Sequence, residues 1–250
     1  MVYIKTKQEI EKMKIACGIS ANALRIAGEA VEPGVSTLEI DDIVEKYIKS
    51  QGAVSSFLNY NGYPNSSCIS VNDVVIHGIP QKDCILRQGD IVSIDVGAFF
   101  DGFHGDNAYT FACGDISKEA KRLLEVTKQS LLKGIENALS SNYIGDISST
   151  VQQYVESNGC SVVRSFCGHG VGHNLHEKPN VPNYGKPKKG FLLQPGLTIA
   201  IEPMVNLGGC DVKILPDGWT TVTEDGSLSA HFEHTIAITE DSPIILTVCS

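Results

Sequence analysis

Apolar residues recur at helical spacing in four stretches of the chain and alternate with polar residues between them. Over residues 7–30, Ile10, Met13, Ala16, Cys17, Ala23, Leu24 and Ala27 keep a helical rhythm. Pro33-Gly34 interrupts it. Ser36-Thr37-Leu38-Glu39 has the form of a capping box, opening an amphipathic helix through Ile40, Ile43, Val44, Tyr47 and Ile48 that Gly52 closes. Residues 118–138 and 146–156 read as two further helices. β-Branched or alternating runs predict strands at 68–71, 74–77, 91–96, 103–111, 162–166, 197–201, 220–223 and 231–239. The stretch 57–89 is otherwise rich in Asn, Gly, Pro and Ser.

The most demanding of these stretches is 91–111. Asp101-Gly102 supplies turn chemistry between two extended runs, which predicts a β-hairpin. A loop at 99–102 sets Asp95 directly opposite Asp106, with Cβ atoms about 4.5–5.5 Å apart, where like charges destabilise a sheet. Two such carboxylates need a shared proton or a cation between them. The plain alternative is a register slipped by one residue, with one Asp in water.

An internal match makes the cation reading the stronger one. The helix end Tyr47-Ile48-Lys49-Ser50-Gln51-Gly52 returns 107 positions later as Tyr154-Val155-Glu156-Ser157-Asn158-Gly159. At the same offset, Gly89-Asp90-Ile91-Val92-Ser93-Ile94-Asp95 returns as Gly196-Leu197-Thr198-Ile199-Ala200-Ile201-Glu202, 107 positions on. His77-Gly78-Ile79-Pro80 parallels His176-Glu177-Lys178-Pro179, and His104-Gly105-Asp106 parallels His231-Phe232-Glu233. Four matches in the same order imply two related α+β halves, roughly 1–112 and 113–250. No linker-like segment separates them, so a single domain spanning 1–250 is expected.

A pseudo-two-fold would bring Asp95 and Asp106 against Glu202 and Glu233. Four converging carboxylates cannot all ionise without cations. With one neutral imidazole they form an oxygen/nitrogen set suited to divalent first-row metals rather than to Ca²⁺ or structural zinc. Two bridged ions would sit about 3.5–4 Å apart, as in two-metal hydrolases. Gly168-His169-Gly170-Val171-Gly172 is too glycine-rich for a helix, so His169 and His173 are not a helical ligand pair. It also lacks the full pattern of a nucleotide loop. Its glycines fit a crowded site that the backbone approaches closely.

Composition removes other classes. The 250 residues are 42% hydrophobic and 20% charged, with a formal net charge of −9, against the basic face of a nucleic-acid or anionic-membrane binder. Residues 1–9 carry charges where a signal peptide needs an apolar core, and no apolar run approaches the ~20 residues of a membrane span. The eight cysteines show no C-x-x-C pair and read as reduced thiols, so a cytoplasmic chain is expected. Monomer is the default.

Taken together, Asn61-Gly62-Tyr63-Pro64, the run Ser70 to Pro80, Ile94-Asp95-Val96-Gly97, His104-Gly105-Asp106, Gly168 to Gly172, Ile201-Glu202-Pro203-Met204 and Phe232-Glu233-His234-Thr235 resemble type I methionine aminopeptidase. The resemblance covers essentially the whole chain. It implies the pita-bread α+β fold, with a curved central antiparallel sheet flanked by helices. It also implies two divalent ions (Co, Mn, Fe, Zn or Ni) held by Asp95, Asp106, His169, Glu202 and Glu233, with Asp106 and Glu233 bridging. His77 would meet the scissile amide, His176 the carbonyl oxygen, and Glu202 would shuttle the proton. Tyr60, Tyr63, Cys68 and Trp219 map onto the methionine pocket, and Asn72, Val74 and Ser229 onto a monovalent (Na or K) site seen in some members. The implied activity is removal of the initiator methionine from nascent peptide N-termini before a small second residue, with proximity to the ribosome.

The chain departs from that pattern at His173, where Arg is common, and at Leu175, where Phe is common. Lys178 stands within the usual Glu-Glu-Pro, His231 replaces Gln, and Phe57 is larger than usual. None is a metal ligand, so they bear on side-chain preference. His104 and His231 precede ligands on strands and are expected, by alternation, to point away from the metals. Alone, His77, His176, Cys68 and Trp219 would each pass for structural residues; matched H-x-x-P turns argue otherwise for the two histidines. Two rivals remain: a proline-specific dipeptidase, which shares the five ligands but usually adds an N-terminal domain, and a non-catalytic peptide-binding member, which would have lost ligands.

Overall fold

The computed structural model describes residues 2–249. Where the apolar rhythm is helical, helices form: α1 (Lys7–Glu29), α2 (Thr37–Ser50), α3 (Lys118–Glu136) and α4 (Ile144–Ser157). The first half adds strands β1 (Val54–Ser55), β2 (Ser67–Val71), β3 (Val74–Ile76), β4 (Ile91–Phe100) and β5 (Phe103–Ala112). The second half adds β6 (Ser161–Val162), β7 (Cys167–Gly170), β8 (Glu177–Pro182), β9 (Thr198–Ile201) and β10 (Met204–Asn206). It ends with β11 (Val212–Ile214), β12 (Thr221–Thr223), β13 (Ser229–His231), β14 (His234–Ala237) and β15 (Ile244–Ile245). The Ser36 capping box is present: Ser36 Oγ accepts from Glu39 N–H, and the Glu39 carboxylate accepts from Ser36 N–H. Two expected strands differ. The run 162–166 keeps only its first residue in β6, and 231–239 is split between β13 and β14.

The hairpin register also differs from expectation. Asp101 (φ 46°) and Gly102 (φ 85°) form a two-residue turn with both centres left-handed, matching the twist of the flanking strands. Phe100 therefore pairs with Phe103, Asp95 faces Ala108, and Asp106 faces Gly97. The four-residue loop placed Asp95 one position too far along its partner on each strand. The combined shift is two residues, one full strand period, so Asp95 and Asp106 still project from the same face. Asp101 lies out at the turn, paired with Lys12.

The repeat is visible in the backbone. Gly34 N–H bonds to Leu86 O, and 107 positions later Ser141 N–H bonds to Leu193 O. Leu86 N–H to Val35 O is matched by Leu193 N–H to Asn142 O, and Thr37 N–H to Cys84 O by Ile144 N–H to Phe191 O. Isolated bridges Ser36–Ile85 and Tyr143–Leu192 repeat at the same interval. Each half has its own core. In the first, Ile40, Val44 and Ile48 of α2 and Ala23 and Leu24 of α1 pack on Ile69, Val92 and Ile94. In the second, Leu123 of α3 and Ile147 and Val151 of α4 pack on Ile199, Ile201 and Ile236.

The central antiparallel layer is built from two sheets, one from each half: β2, β4 and β5 with β1, and β15-β14-β9-β7-β8. They meet along β5. Thr235 Oγ1 donates to Asp106 O and accepts from Asp106 N–H, while Thr110 Oγ1 donates to His231 O and accepts from His231 N–H. Glu233 N–H donates to Ala108 O at 2.9 Å. This seam explains the split strand: β13 pairs with β10 and β14 with β9, so the chain changes sheets at Phe232-Glu233. Glu233 is thereby delivered to the junction.

Gly105 lets α1 lie against the seam. A Cβ at this position would come 2.5 Å from the backbone N and Cα of Cys17. Gly105→Ala is expected to cost about 1–3 kcal/mol, as overpacking of a filled core does. It should lower the urea midpoint without changing the m-value; an unchanged midpoint would contradict this packing.

Candidate metal centre and its cavity

A cavity of about 410 Å³ opens between the halves. Its walls include all five expected metal ligands, both H-x-x-P histidines, and Tyr60, Tyr63, Cys68 and Trp219. Asp95 comes from β4 and Asp106 from β5; Glu202 follows β9, Glu233 lies at the sheet change, and His169 is on β7. Ligand atoms of Asp106, His169 and Glu233 all lie within 4.8 Å of one another, and these three residues are buried. Asp95 and Glu202 complete the ring, partly exposed to the cavity.

His169 Nδ1 lies 2.8 Å from Gly170 O, which can only accept, so Nδ1 carries the proton and Nε2 offers its lone pair to the cavity. That Nε2 is 3.7 Å from Asp106 Oδ2 and 3.6 Å from Glu202 Oε1. These separations are too long for hydrogen bonds. Burial and the nearby His176 ring lower the His169 pKa to about 3, so the imidazole is neutral and these are not ion pairs. Burial pushes the Asp106 pKa up to about 7. Burial and then the Asp106 charge raise Asp95 and Glu202 well above the ordinary carboxylate range, and Glu233 moves the same way for the same reasons.

The donor set therefore fits divalent ions. Asp95 Oδ1, Asp106 Oδ1 and Glu233 Oε1 are buried without any hydrogen-bond partner. Such orphaned acceptors are rare in folded proteins. A neutral imidazole nitrogen facing several converging carboxylates is the ligand chemistry of a first-row ion.

The far wall is apolar. Phe57, Tyr63, Cys68 and Leu175 form one buried cluster, edged by Tyr60, Ile79 and Trp219. Cys68 pairs with Asp95 across β2 and β4, so the thiol and the carboxylate share a face where pocket and ligand cage meet. Burial first, then the Asp95 charge, pushes the Cys68 thiol far up, so it stays protonated and acts as a small apolar surface. Tyr63 Oη lies 3.0 Å from both Ser67 O and Gly78 O, so its hydroxyl is spent on the backbone and its ring faces Trp219 edge-on. His176 Nδ1 is 2.7 Å from Tyr60 Oη, and its ring centroid is 4.2 Å from that of His169. Burial lowers the His77 pKa to about 4, leaving a neutral ring edge-on to Phe166 and Trp219.

The expected direction of His231 is overturned. It precedes Glu233 by two residues, a whole strand period, so alternation places both on one face rather than opposite ones. His231 Nε2 lies 3.6 Å from Glu202 Oε2, buried and without a hydrogen-bond partner. The same spacing relates His104 to Asp106; His104 leans instead on Phe99 and contacts Ser56 Oγ at 2.8 Å. Asn61 also lines the cavity and carried no sequence signal beyond its place in the Asn-Gly-Tyr-Pro turn. Asn72, Val74 and Ser229 lie outside this cavity; Ser229 N–H donates to Asn72 O, and Val74 pairs with Val222.

Residues 11–240 match the model of metallopeptidase family M24. The methionine aminopeptidase of Clostridium acetobutylicum is 49% identical over 249 residues, covering all of both chains. Among solved structures, that of methionine aminopeptidase from Thermotoga maritima superposes with a TM-score of 0.97 at 45% identity, covering 99% of each chain. The prolidase of Pyrococcus furiosus has a TM-score of 0.81 at 25% identity, with 66% of its own chain covered.

The raised carboxylates make metal-free stability pH-dependent. An acid whose pKa is higher folded than unfolded keeps its proton in the fold, so stability falls as pH rises through that interval. For Asp106 the interval runs from 3.8 to about 7; the other three shift in the same direction. Buried His77, His169 and His231 act oppositely, costing stability as pH falls below about 6.5. Above about pH 6.5, where the histidines no longer oppose the carboxylates, metal-free protein should therefore lose thermal stability as pH rises, and the gain on adding Mn²⁺ should grow with pH. A metal-free midpoint that rises over this range would contradict the assignment.

Proposed function

The chain belongs to metallopeptidase family M24, and from that premise we propose that it is a methionine aminopeptidase, a metal-dependent hydrolase that removes the initiator methionine. The observation that carries this reading is the juxtaposition of a buried apolar cluster and a carboxylate-imidazole cage in one cavity. The substrates are nascent peptide N-termini with a small second residue. Asp95, Asp106, His169, Glu202 and Glu233 would hold two divalent ions drawn from Co, Mn, Fe, Zn and Ni. Such ions supply two things when bound: they acidify a water and they polarise a carbonyl.

The chain's own residues do the rest. Phe57, Tyr63, Cys68, Leu175 and Trp219 receive the methionine side chain and exclude water around it. That sets the first carbonyl beside the cage and confines cleavage to the first bond. Glu202, which lines the cavity beside the other expected ligands, takes the proton of the attacking water and returns it to the leaving amine. With Tyr60 O–H donating to His176 Nδ1, the neutral His176 keeps a proton on Nε2 and can donate it to the developing oxyanion. His77, neutral and fixed between Phe166 and Trp219, meets the scissile amide.

Finer readings rest on the same resemblance. Both halves act as one catalytic domain, because each supplies ligands to the same cavity. Asn72, Val74 and Ser229 would take a monovalent cation. The eight cysteines are free thiols, and no helix of the described residues is long and apolar enough to cross a membrane. We read the chain as a cytoplasmic monomer working close to the ribosome on the resemblance alone.

Metal-reconstituted protein should release methionine from Met-Ala-Ser and leave Ala-Pro intact. Glu202→Gln should lower kcat by about 10²–10⁴-fold, the usual contribution of a general acid-base group. Cleavage of Ala-Pro in preference to Met-Ala-Ser would favour the prolidase-like activity of the structural relatives. No methionine release with Mn²⁺, Fe²⁺ or Co²⁺ would overturn the proposal.

A further inference from the structure

One fully buried charge pair lies beyond the ligand cage and takes no part in the chemistry above. Lys5 Nζ pairs with Glu177 Oε2, and both side chains are about 1% exposed. Stripping two charges of water costs several kcal/mol per ion, and apolar side chains of the same volume often serve stability as well. The pair therefore calls for an explanation other than stability.

Its location supplies one. Glu177 directly follows His176, and buried and exposed positions alternate from Leu175 to Asn180, so the two side chains leave the backbone on opposite sides. His176 points to Tyr60 and the cavity. Glu177 points inward, where its Oε1 accepts Asn174 N–H at 3.1 Å and so ties down the loop that carries His176. The other end of the clamp is equally fixed. Lys5 N–H donates to Gly196 O at 2.7 Å, Ile4 bridges to Leu197, and Val2 bridges to Lys178. Leu197 leads into β9, whose end carries Glu202. One short segment thus joins the two ends of the second-half site.

The backbone is shaped for this pair. A Cβ on Gly172 would come 2.2 Å from Lys5 Cε and 3.2 Å from Glu177 Oε1, and one on Gly196 would come 2.5 Å from Lys5 O. Gly172 O in turn accepts His104 N–H at 2.8 Å, linking the loop to the strand of Asp106. The third glycine of the Gly168-x-Gly170-x-Gly172 run, which no ligand role explains, is accounted for by the close approach of Lys5.

We propose that Lys5 and Glu177 are positioning residues for His176, a buried ionic clamp that fixes its loop against the ligand cage. The inference rests on the reading of His176 as the group that meets the carbonyl oxygen. It predicts an effect on turnover, with binding of metal and of the methionine side chain unchanged.

The test compares metal-reconstituted full-length wild type, His176→Ala, the neutral pair Lys5→Met/Glu177→Met, and the three changes combined, on Met-Ala-Ser. The neutral pair should bind Mn²⁺ with wild-type Kd and keep its KM, while kcat falls roughly ten- to hundredfold, the scale of a misplaced catalytic group. Adding His176→Ala to the neutral pair should cost less than it does in wild type. Glu177→Gln, which still accepts from Asn174 and Lys5, should recover most of the activity. Should the neutral pair not fold, Gly172→Ala, which displaces the lysine and keeps both charges, should show the same fall in kcat at constant KM. Wild-type kcat in the neutral pair, or in Gly172→Ala should the neutral pair not fold, would overturn the proposal, as would fully additive losses in the combined variant. Full activity of His176→Ala would instead remove the role assigned to His176, an outcome separable from the first.

Discussion

Four carboxylates meet at the junction of two sheets, close enough that their charges cannot coexist without a compensating cation. Everything else in the structure is arranged around that constraint. Asp106 and Glu233 are buried, three carboxylate oxygens among the four groups have no partner, and the His169 ring is neutral with its Nε2 lone pair facing inward. A protein gains nothing in stability from such a cluster by itself. Its cost is offset only when divalent ions are bound, and the same ions supply the hydrolytic chemistry.

The pseudo-two-fold is the economical way to build the cluster. Each half contributes a helix pair, two carboxylates and an H-x-x-P turn. The backbone bonds that close each helix pair recur at an interval of 107 residues. The halves differ where the site needs them to differ. The first supplies the uninterrupted hairpin and, with Phe57, Tyr63 and Cys68, most of the apolar pocket. The second breaks its matching strand at Glu233 and adds the glycine-rich run that carries His169. The apolar pocket is thus mainly a first-half structure, while His169 and the loop that carries His176 come from the second.

Much of this was legible in the sequence, because periodicity and offset are local properties. The helices, the Ser36 capping box, the Asp101-Gly102 turn and the carboxylate set all follow from residue order. The hairpin register did not, since it depends on whether the turn holds two residues or four. The same-face conclusion survived because the error was one whole strand period. His231 was misdirected by treating a two-residue spacing as a change of face. The division of the central layer into two sheets depends on Thr110 and Thr235 bridging backbone groups more than 100 positions away, and Lys5 meets Glu177 across 172 positions. No local pattern encodes such pairings.

Burial and mutual repulsion favour the protonated carboxylates, so divalent ions must displace protons to bind. Titrating Mn²⁺ into metal-free protein near pH 7, in two buffers of different ionisation enthalpy, counts those protons calorimetrically. Net proton release on binding is expected, with less of it when Asp106 is replaced by Asn. Binding with no proton release would mean that the carboxylates are already ionised without metal, and would contradict it.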